Sequence, residues 1–222
     1  MTQKNSTPLQ AFFFRDFPNT YIPDILEEIY LKKVYNPFLL GKKDLIIADF
    51  GGNIGLASYY FKDYAKQVYI VEPAKQHQET IKTMLDYNKI TNVTLCPYAI
   101  SNKNGTTKFY HTSNTTSFTL SDLTPEKKDY EEVETVTIDE FMKRNKLEYL
   151  DFLKLDVEGE EGKVITSDGF RKYADKIKVI VGEYHAWTSM EKNQFATTFA
   201  DLGFDFRWYF NTKASVFSAV RI

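Results

Sequence analysis

Apolar residues along this chain come in short blocks, and the blocks alternate between two periods. Leu45-Ile46-Ile47-Ala48, Val68-Tyr69-Ile70-Val71 and Val93-Thr94-Leu95-Cys96 are dense runs of the kind a buried strand shows. Between the last two, Ile81, Met84 and Leu85 fall at helical spacing among Lys, Gln, Glu and Asp, as in a helix that covers one face of a sheet. The pattern predicts strand 45–50, helix 53–64, strand 67–72, helix 75–88 and strand 93–98. Such alternation implies a parallel sheet wrapped by helices. Right-handed crossovers would set these strands side by side in chain order.

Ahead of this block, Ile22, Ile25, Leu26 and Ile29 repeat at helical spacing around Pro23. They predict an amphipathic helix ending near Tyr35, before a turn around Pro37 and Gly41. Residues 1–44 therefore read as a helical cap over one edge or mouth of the sheet, with a frayed start. Past residue 98 the alternation breaks. Residues 99–136 are polar and rich in Ser and Thr, with a turn at 101–105 and a short strand at 106–110, and they read as an insertion over the carboxyl edge of the sheet. Thr137 and Glu140 then form a capping-box signature for a helix from Ile138 to about Lys146. Strand 149–155, a helix from about Glu158 and strand 177–183 follow. After a helix bearing Phe195, Phe199 and Leu202 and closed by Gly203, the runs 205–210 and 214–220 are separated only by Asn211-Thr212-Lys213. A gap that short permits a hairpin and no parallel crossover. The expected fold is α/β: a doubly wound, Rossmann-like, mostly parallel seven-stranded sheet over 45–222, finishing in a C-terminal antiparallel hairpin.

Composition narrows the choice of partners. At 222 residues and 43% hydrophobic content, one domain can bury a full core. A formal charge of −2 and the lack of a dense Lys/Arg run disfavour a nucleic-acid substrate. The single cysteine, Cys96, excludes an intramolecular disulfide and a cysteine cluster for zinc. No stretch approaches the ~20 apolar residues of a membrane span, so the expected setting is cytoplasmic. Most of the 18 Phe and 15 Tyr are expected in the core, although Phe12 to Phe14, Tyr21, Tyr184 and Trp187 are candidates to gather near a pocket mouth. The aromatic N-terminal segment is also a candidate homodimer surface.

The chemistry-bearing stretch is Asp49-Phe50-Gly51-Gly52-Asn53-Ile54-Gly55, a glycine-rich turn fed by an apolar strand, with Glu72-Pro73 ending the next strand. Glycines there let backbone approach a ligand, and an acidic residue about 20 positions on can accept hydrogen bonds from a ribose diol. Neither Gly51 nor Gly52 begins a Gly-x-Gly-x-x-Gly frame, because Asn53 and Ile54 stand at the third positions. That disfavours the pyrophosphate of a nicotinamide dinucleotide and leaves an adenosine-like cofactor. A tight structural turn is the plain alternative. Tyr98, Ala99 and Ile100 would flank the adenine, or belong to ordinary core packing.

Asp156 ends a further buried strand beside the glycine loop, within Leu153-Lys154-Leu155-Asp156-Val157-Glu158-Gly159-Glu160-Glu161. Glu160 and Glu158 are accounted for as charges at a helix N-terminus, and Glu161 as a brace for the loop. At this run the chain resembles the FkbM family of class I S-adenosylmethionine-dependent methyltransferases. The resemblance rests on residues 49–55, Val-Glu-Pro at 71–73, Tyr-Ala-Ile-Ser at 98–101, Thr-Ile-Asp at 137–139, residues 153–161 and Glu-Tyr-His at 183–185. The family more often has Ala where this chain has Gly52. The resemblance implies S-adenosyl-L-methionine as cofactor, bound by Asp49, Phe50, Gly51, Gly52, Asn53, Gly55, Glu72, Pro73, Tyr98, Ala99, Ile100 and Asp156. It also implies O-methylation of a small-molecule or glycan acceptor. Such a reaction needs a positioned acceptor and a group to take its proton, for which Asp156 and His185 are the candidates. His185 has a satisfied rim position as its plain alternative. Asp156, Glu158, Glu183 and His185 have no fixed ligand spacing for Mg²⁺, and no resident metal is expected. A cofactor-binding scaffold without turnover, and a nicotinamide oxidoreductase, are the other classes of answer.

Overall fold

The computed structural model describes residues 22–111, 118–119, 130–209 and 215–222. The chain divides into two compact units, Met1–Leu40 and Gly41–Ile222. In the first, α1 (Ile22–Leu26) runs into a single π-helical turn at Glu27–Leu31, and α2 (Asn36–Leu39) follows. The helix expected to reach Tyr35 stops at Leu31, and Lys33 turns the chain with φ 55°. Pro37, expected in a turn, lies in the first turn of α2, where its missing N–H costs nothing.

The second unit is built on a seven-stranded sheet in the order β10-β11-β9-β8-β1-β2-β3. Its strands are β1 (Leu45–Phe50), β2 (Ala65–Val71), β3 (Val93–Cys96), β8 (Phe152–Leu155), β9 (Val179–Tyr184), β10 (Phe204–Tyr209) and β11 (Ser215–Arg221). β9, β8, β1, β2 and β3 run parallel, while β11 is antiparallel to both β9 and β10. This is the doubly wound sheet with a terminal hairpin that the apolar runs and the short 211–213 gap imply. Residues 210–214 themselves lie outside the described residues. All four residues of β8 are buried, as expected of a central parallel strand, and one of them is Lys154.

Helices α3 (Leu56–Phe61), α4 (Lys75–Tyr87), α5 (Ile138–Arg144), α6 (Glu161–Thr166), α7 (Asp168–Tyr173) and α8 (Lys192–Asp201) complete the unit. Thr137 Oγ1 caps α5 by accepting from the Glu140 N–H at 3.3 Å. Two helices start later than the spacing predicts, because left-handed residues occupy the turns before them. Asn53 (φ 50°) and Gly55 (φ 90°) precede α3, and Glu158 (φ 52°) and Gly159 (φ 104°) precede α6. β3 ends at Cys96 because Pro97 has no N–H to continue the ladder. From there the 99–136 segment contributes a second sheet, ordered β4-β7-β5-β6, from β4 (Ala99–Ile100), β5 (Gly105–His111), β6 (Phe118–Thr119) and β7 (Tyr130–Val136). Residues 112–117 and 120–129 lie outside the described residues.

Much of the aromatic content is core. Phe195 and Phe199 of α8 pack their rings 5.1 and 5.4 Å from Phe217 of β11. Such pairs add roughly 0.5–1.5 kcal/mol each beyond area burial. No helix among the described residues is long and apolar enough to cross a membrane.

Candidate active site

The carboxyl ends of β1, β2 and β8 open on a cavity of about 520 Å³, counting its mouth. Its walls are Gly51 and Asn53 after β1, Val71 to Pro73 at the end of β2, His77 of α4, Ala99 and Ile100 of β4, Phe109 of β5, and Asp156 to Glu158 after β8. Ligands of open α/β sheets bind in this kind of crevice.

The glycine loop is shaped by close approach. Gly51 has φ +78°, and a Cβ there would stand 1.7 Å from the Asp156 carbonyl oxygen. A Cβ on Gly52 would stand 2.1 Å from Ile70 Cγ2, so glycine fits there without displacing β2. The N–H groups of Gly51 and Gly52 both donate to the Val71 carbonyl, at 3.0 and 3.1 Å. Asn53 donates its N–H to Glu72 Oε2 at 2.8 Å, so the loop and the acidic residue are tied directly. Glu72 Oε1 accepts from the Ala74 N–H at 2.9 Å and faces His77 Nδ1 at 3.3 Å. Gln78 fixes the same corner by donating to the carbonyls of Glu72 and Pro73.

Beneath the loop a buried lysine joins three segments. Lys154 Nζ donates to the Gly51 carbonyl at 2.8 Å and pairs with Asp49 Oδ1 at 3.2 Å and Asp156 Oδ2 at 3.1 Å. Asp49 is fully buried and also accepts from Ser58 Oγ at 2.7 Å. Burial raises its carboxyl above the ordinary value, against the opposing pull of Lys154 and Ser58.

The rim beside Asp156 is acidic around one imidazole. His185 Nδ1 faces Glu161 Oε1 at 2.8 Å, and Nε2 looks toward Glu158 at 3.5 Å and toward Asp156 and Glu183 at 3.9 Å. Burial works to lower the His185 pKa, but the Glu161 hydrogen bond and the charges of Glu161, Glu158 and Asp156 outweigh it and raise it to about 10. The surrounding carboxylates thus favour the protonated ring. Burial pushes the Glu158 carboxyl up to about 7, with Asp156 and Glu161 adding to the rise and His185 and Lys154 opposing it. Glu161 braces the loop by accepting from the N–H groups of Val157 and Gly159. Asp156, Glu161 and His185 place ligand atoms within 4.8 Å of one another, yet Glu161 is already committed to those donors and to the imidazole. The geometry is that of an ion-paired brace.

Residues 49–206 match the family model of the methyltransferase FkbM domain. The chain belongs to the FkbM methyltransferase family. No curated protein sequence matches it. Among solved structures, methyltransferase FkbM from Methylobacillus flagellatus KT superposes with a TM-score of 0.58 at 15% identity, covering 82% of this chain and 45% of that one. This FkbM-family chain thus spans under half the length of that relative. A Streptococcus mutans protein solved in complex with SAH gives 0.55 at 12% identity, with 86% and 97% covered. Magnesium protoporphyrin IX methyltransferase from Synechocystis PCC 6803, solved with bound SAM, gives 0.54 at 10%, with 97% and 92% covered. At these identities the likeness is one of fold, that of class I methyltransferases.

In this FkbM-family site the structure brings Gly51, Asn53, Glu72, Pro73, Ala99, Ile100 and Asp156 together on one cavity wall. The other residues singled out in the sequence stand behind it. Phe50 is core, edge-on to Phe141 at 4.9 Å. A Cβ on Gly55 would stand 2.9 Å from Met84 Cε. Tyr98 is buried, and its hydroxyl accepts from Asn145 Nδ2 at 3.4 Å. Asp49 lies under the loop, and His185 under the acidic rim. Sequence reasoning did not single out Lys154, Phe109 or His77 for the site and read Glu158 as a helix N-terminal charge, yet Phe109, Glu158 and His77, the last 1% exposed, line the cavity. A lysine inside an otherwise apolar buried strand was the available signal for Lys154.

Proposed function

We propose that this FkbM-family protein binds S-adenosyl-L-methionine in the cavity and transfers its methyl group to a hydroxyl of a glycan or secondary metabolite. The carrying observation is that the glycine loop, Glu72 and Asp156 face a single cavity and are linked through Asn53 and Lys154. The residues suit the cofactor. Glycine at 51 lets the loop pass against the Asp156 carbonyl just beyond β8, where a side chain would collide. Glu72 Oε2 takes one N–H from Asn53 and keeps lone-pair capacity for ribose hydroxyls. Ala99, Ile100 and Phe109 offer an apolar wall for the adenine, and Asp156 a carboxylate for the cofactor's ammonium or the acceptor hydroxyl.

When bound, the cofactor supplies an electrophilic methyl on a sulfonium. The protein's part is to align an acceptor oxygen behind that methyl and to take its proton. The described residues lining the cavity include no Lys or Arg, while Asp156 and Glu158 present carboxylates that accept hydrogen bonds from hydroxyls. This favours a neutral polyhydroxyl acceptor over an anionic one. The test is incubation with [methyl-¹⁴C]S-adenosylmethionine and a panel of methyl glycosides and glycosylated natural products. Alkali-stable label in an ether supports the reading. Cofactor binding without transfer to any acceptor would favour a scaffold instead.

A further inference from the structure

Glu158 reaches the cavity from a loop that holds it there at a conformational cost. It carries a Cβ yet sits at φ 52°, and Gly159 follows at φ 104°. Three contacts lock this shape. Glu161 accepts from the N–H groups on either side of Glu158, those of Val157 and Gly159, and Trp187 Nε1 donates to the Glu158 carbonyl at 3.2 Å. The charged groups facing its carboxyl are Lys154 of β8, Asp156 of its own loop, Glu161 at the start of α6 and His185 just past β9, and Glu183 faces the same imidazole. His185 has its Nδ1 on buried Glu161, its Nε2 toward Glu158, and no place in the cavity wall.

From this arrangement we propose that Glu158 is the general base that takes the acceptor hydroxyl's proton, with His185 the positioning residue that holds its carboxylate. The assignment rests on the O-methyl transfer reading above. As the acceptor oxygen bonds to the methyl carbon, its proton passes to a Glu158 carboxylate oxygen. The carbon–sulfur bond breaks with its electron pair going to sulfur. The products are a methyl ether, S-adenosylhomocysteine and a neutral carboxylic acid. The raised affinity of this carboxyl for a proton makes it a stronger base than an ordinary glutamate. The carboxylates around His185 favour its protonated form, which has no lone pair to offer.

Two measurements test this. A crystal structure with sinefungin, whose amine stands where the transferred methyl would be, decides without a known acceptor. Glu158 is expected on the open side of that amine, its carboxylate within about 6 Å, the reach of one acceptor oxygen between them. A carboxylate turned onto the ribose or the amino-acid end overturns the assignment. With a glycoside that the panel shows to accept the methyl group, Glu158→Gln is expected to lower kcat about 10²- to 10⁴-fold and abolish the ascending limb of the pH–rate profile. Its cofactor affinity by calorimetry stays within a few fold. His185→Gln lowers kcat less and moves the limb to higher pH, since the opposing positive charge is gone. A limb kept by Glu158→Gln, or lost in His185→Gln alone, overturns the base assignment and leaves O-methylation standing. Label found on nitrogen in the wild type overturns both.

Discussion

Replacing Lys154 with Met removes the cation that joins the glycine loop, Asp49 and Asp156 while keeping a side chain of similar length. The Nζ atom lies 2.8 Å from the Gly51 carbonyl and 3.2 and 3.1 Å from the two carboxylates. Asp49 has no exposed surface, so the variant strands its charge in the interior, a change that costs about 3–5 kcal/mol when one partner of a buried pair is lost. For a chain of this size each kcal/mol moves Tm by roughly 2–4 °C, giving a fall on the order of 10 °C. The penalty has a definite pH dependence. The folded Asp49 pKa already lies above its unfolded value of about 3.9, and losing Lys154 raises it further. Above pH ~4 the unfolded chain releases that proton while the folded variant keeps it, so folding loses stability as pH rises through the folded pKa. Urea denaturation followed by circular dichroism at pH 5 and pH 8 should therefore show a larger gap between variant and wild type at pH 8. Adding Asp49→Asn should return part of the loss, a coupling of about 1–3 kcal/mol. A cost below about 1 kcal/mol, a gap that shrinks at pH 8, or additive losses in the double variant would refute the reasoning.

Gly51→Ala places a methyl 1.7 Å from the Asp156 carbonyl oxygen and forces a φ of +78° on an L-residue. It should either separate β1 from β8, seen as a Tm fall of several degrees, or fold and bind no cofactor; wild-type Tm with intact binding would contradict the packing account. Glu72→Ala removes the acceptor of the Asn53 and Ala74 N–H groups. Charge-assisted hydrogen bonds are worth about 1.5–3 kcal/mol, so S-adenosylmethionine affinity measured by calorimetry should fall roughly 10- to 100-fold. An unchanged Kd would remove Glu72 from the site.

The sheet was legible because each strand carries its own apolar run and each crossover its own helical period. The hairpin was legible because a gap at 211–213 admits no other connection. The inner wall of the site was harder to read, since its contacts join distant positions. Lys154 is visible as a lysine between two leucines, but its bond to Gly51 spans 103 residues. His77 sits among Lys75, Gln76 and Glu79, which look like a solvated face, and only the fold turns this end of α4 onto Glu72. His185 was expected to accept a proton because the ordinary imidazole pKa suits that task. The four carboxylates around it come from the ends of β8 and β9 and the start of α6, and they favour its protonated form in a way no local pattern displays.

The central claim is that the cavity at the ends of β1, β2 and β8 is an S-adenosylmethionine site. Titration calorimetry of the purified chain with S-adenosylmethionine, S-adenosylhomocysteine and NAD⁺ tests it directly. The account predicts one-to-one binding of the first two with micromolar Kd and no heat from NAD⁺. Binding of NAD⁺ with no response to either sulfur ligand would contradict it.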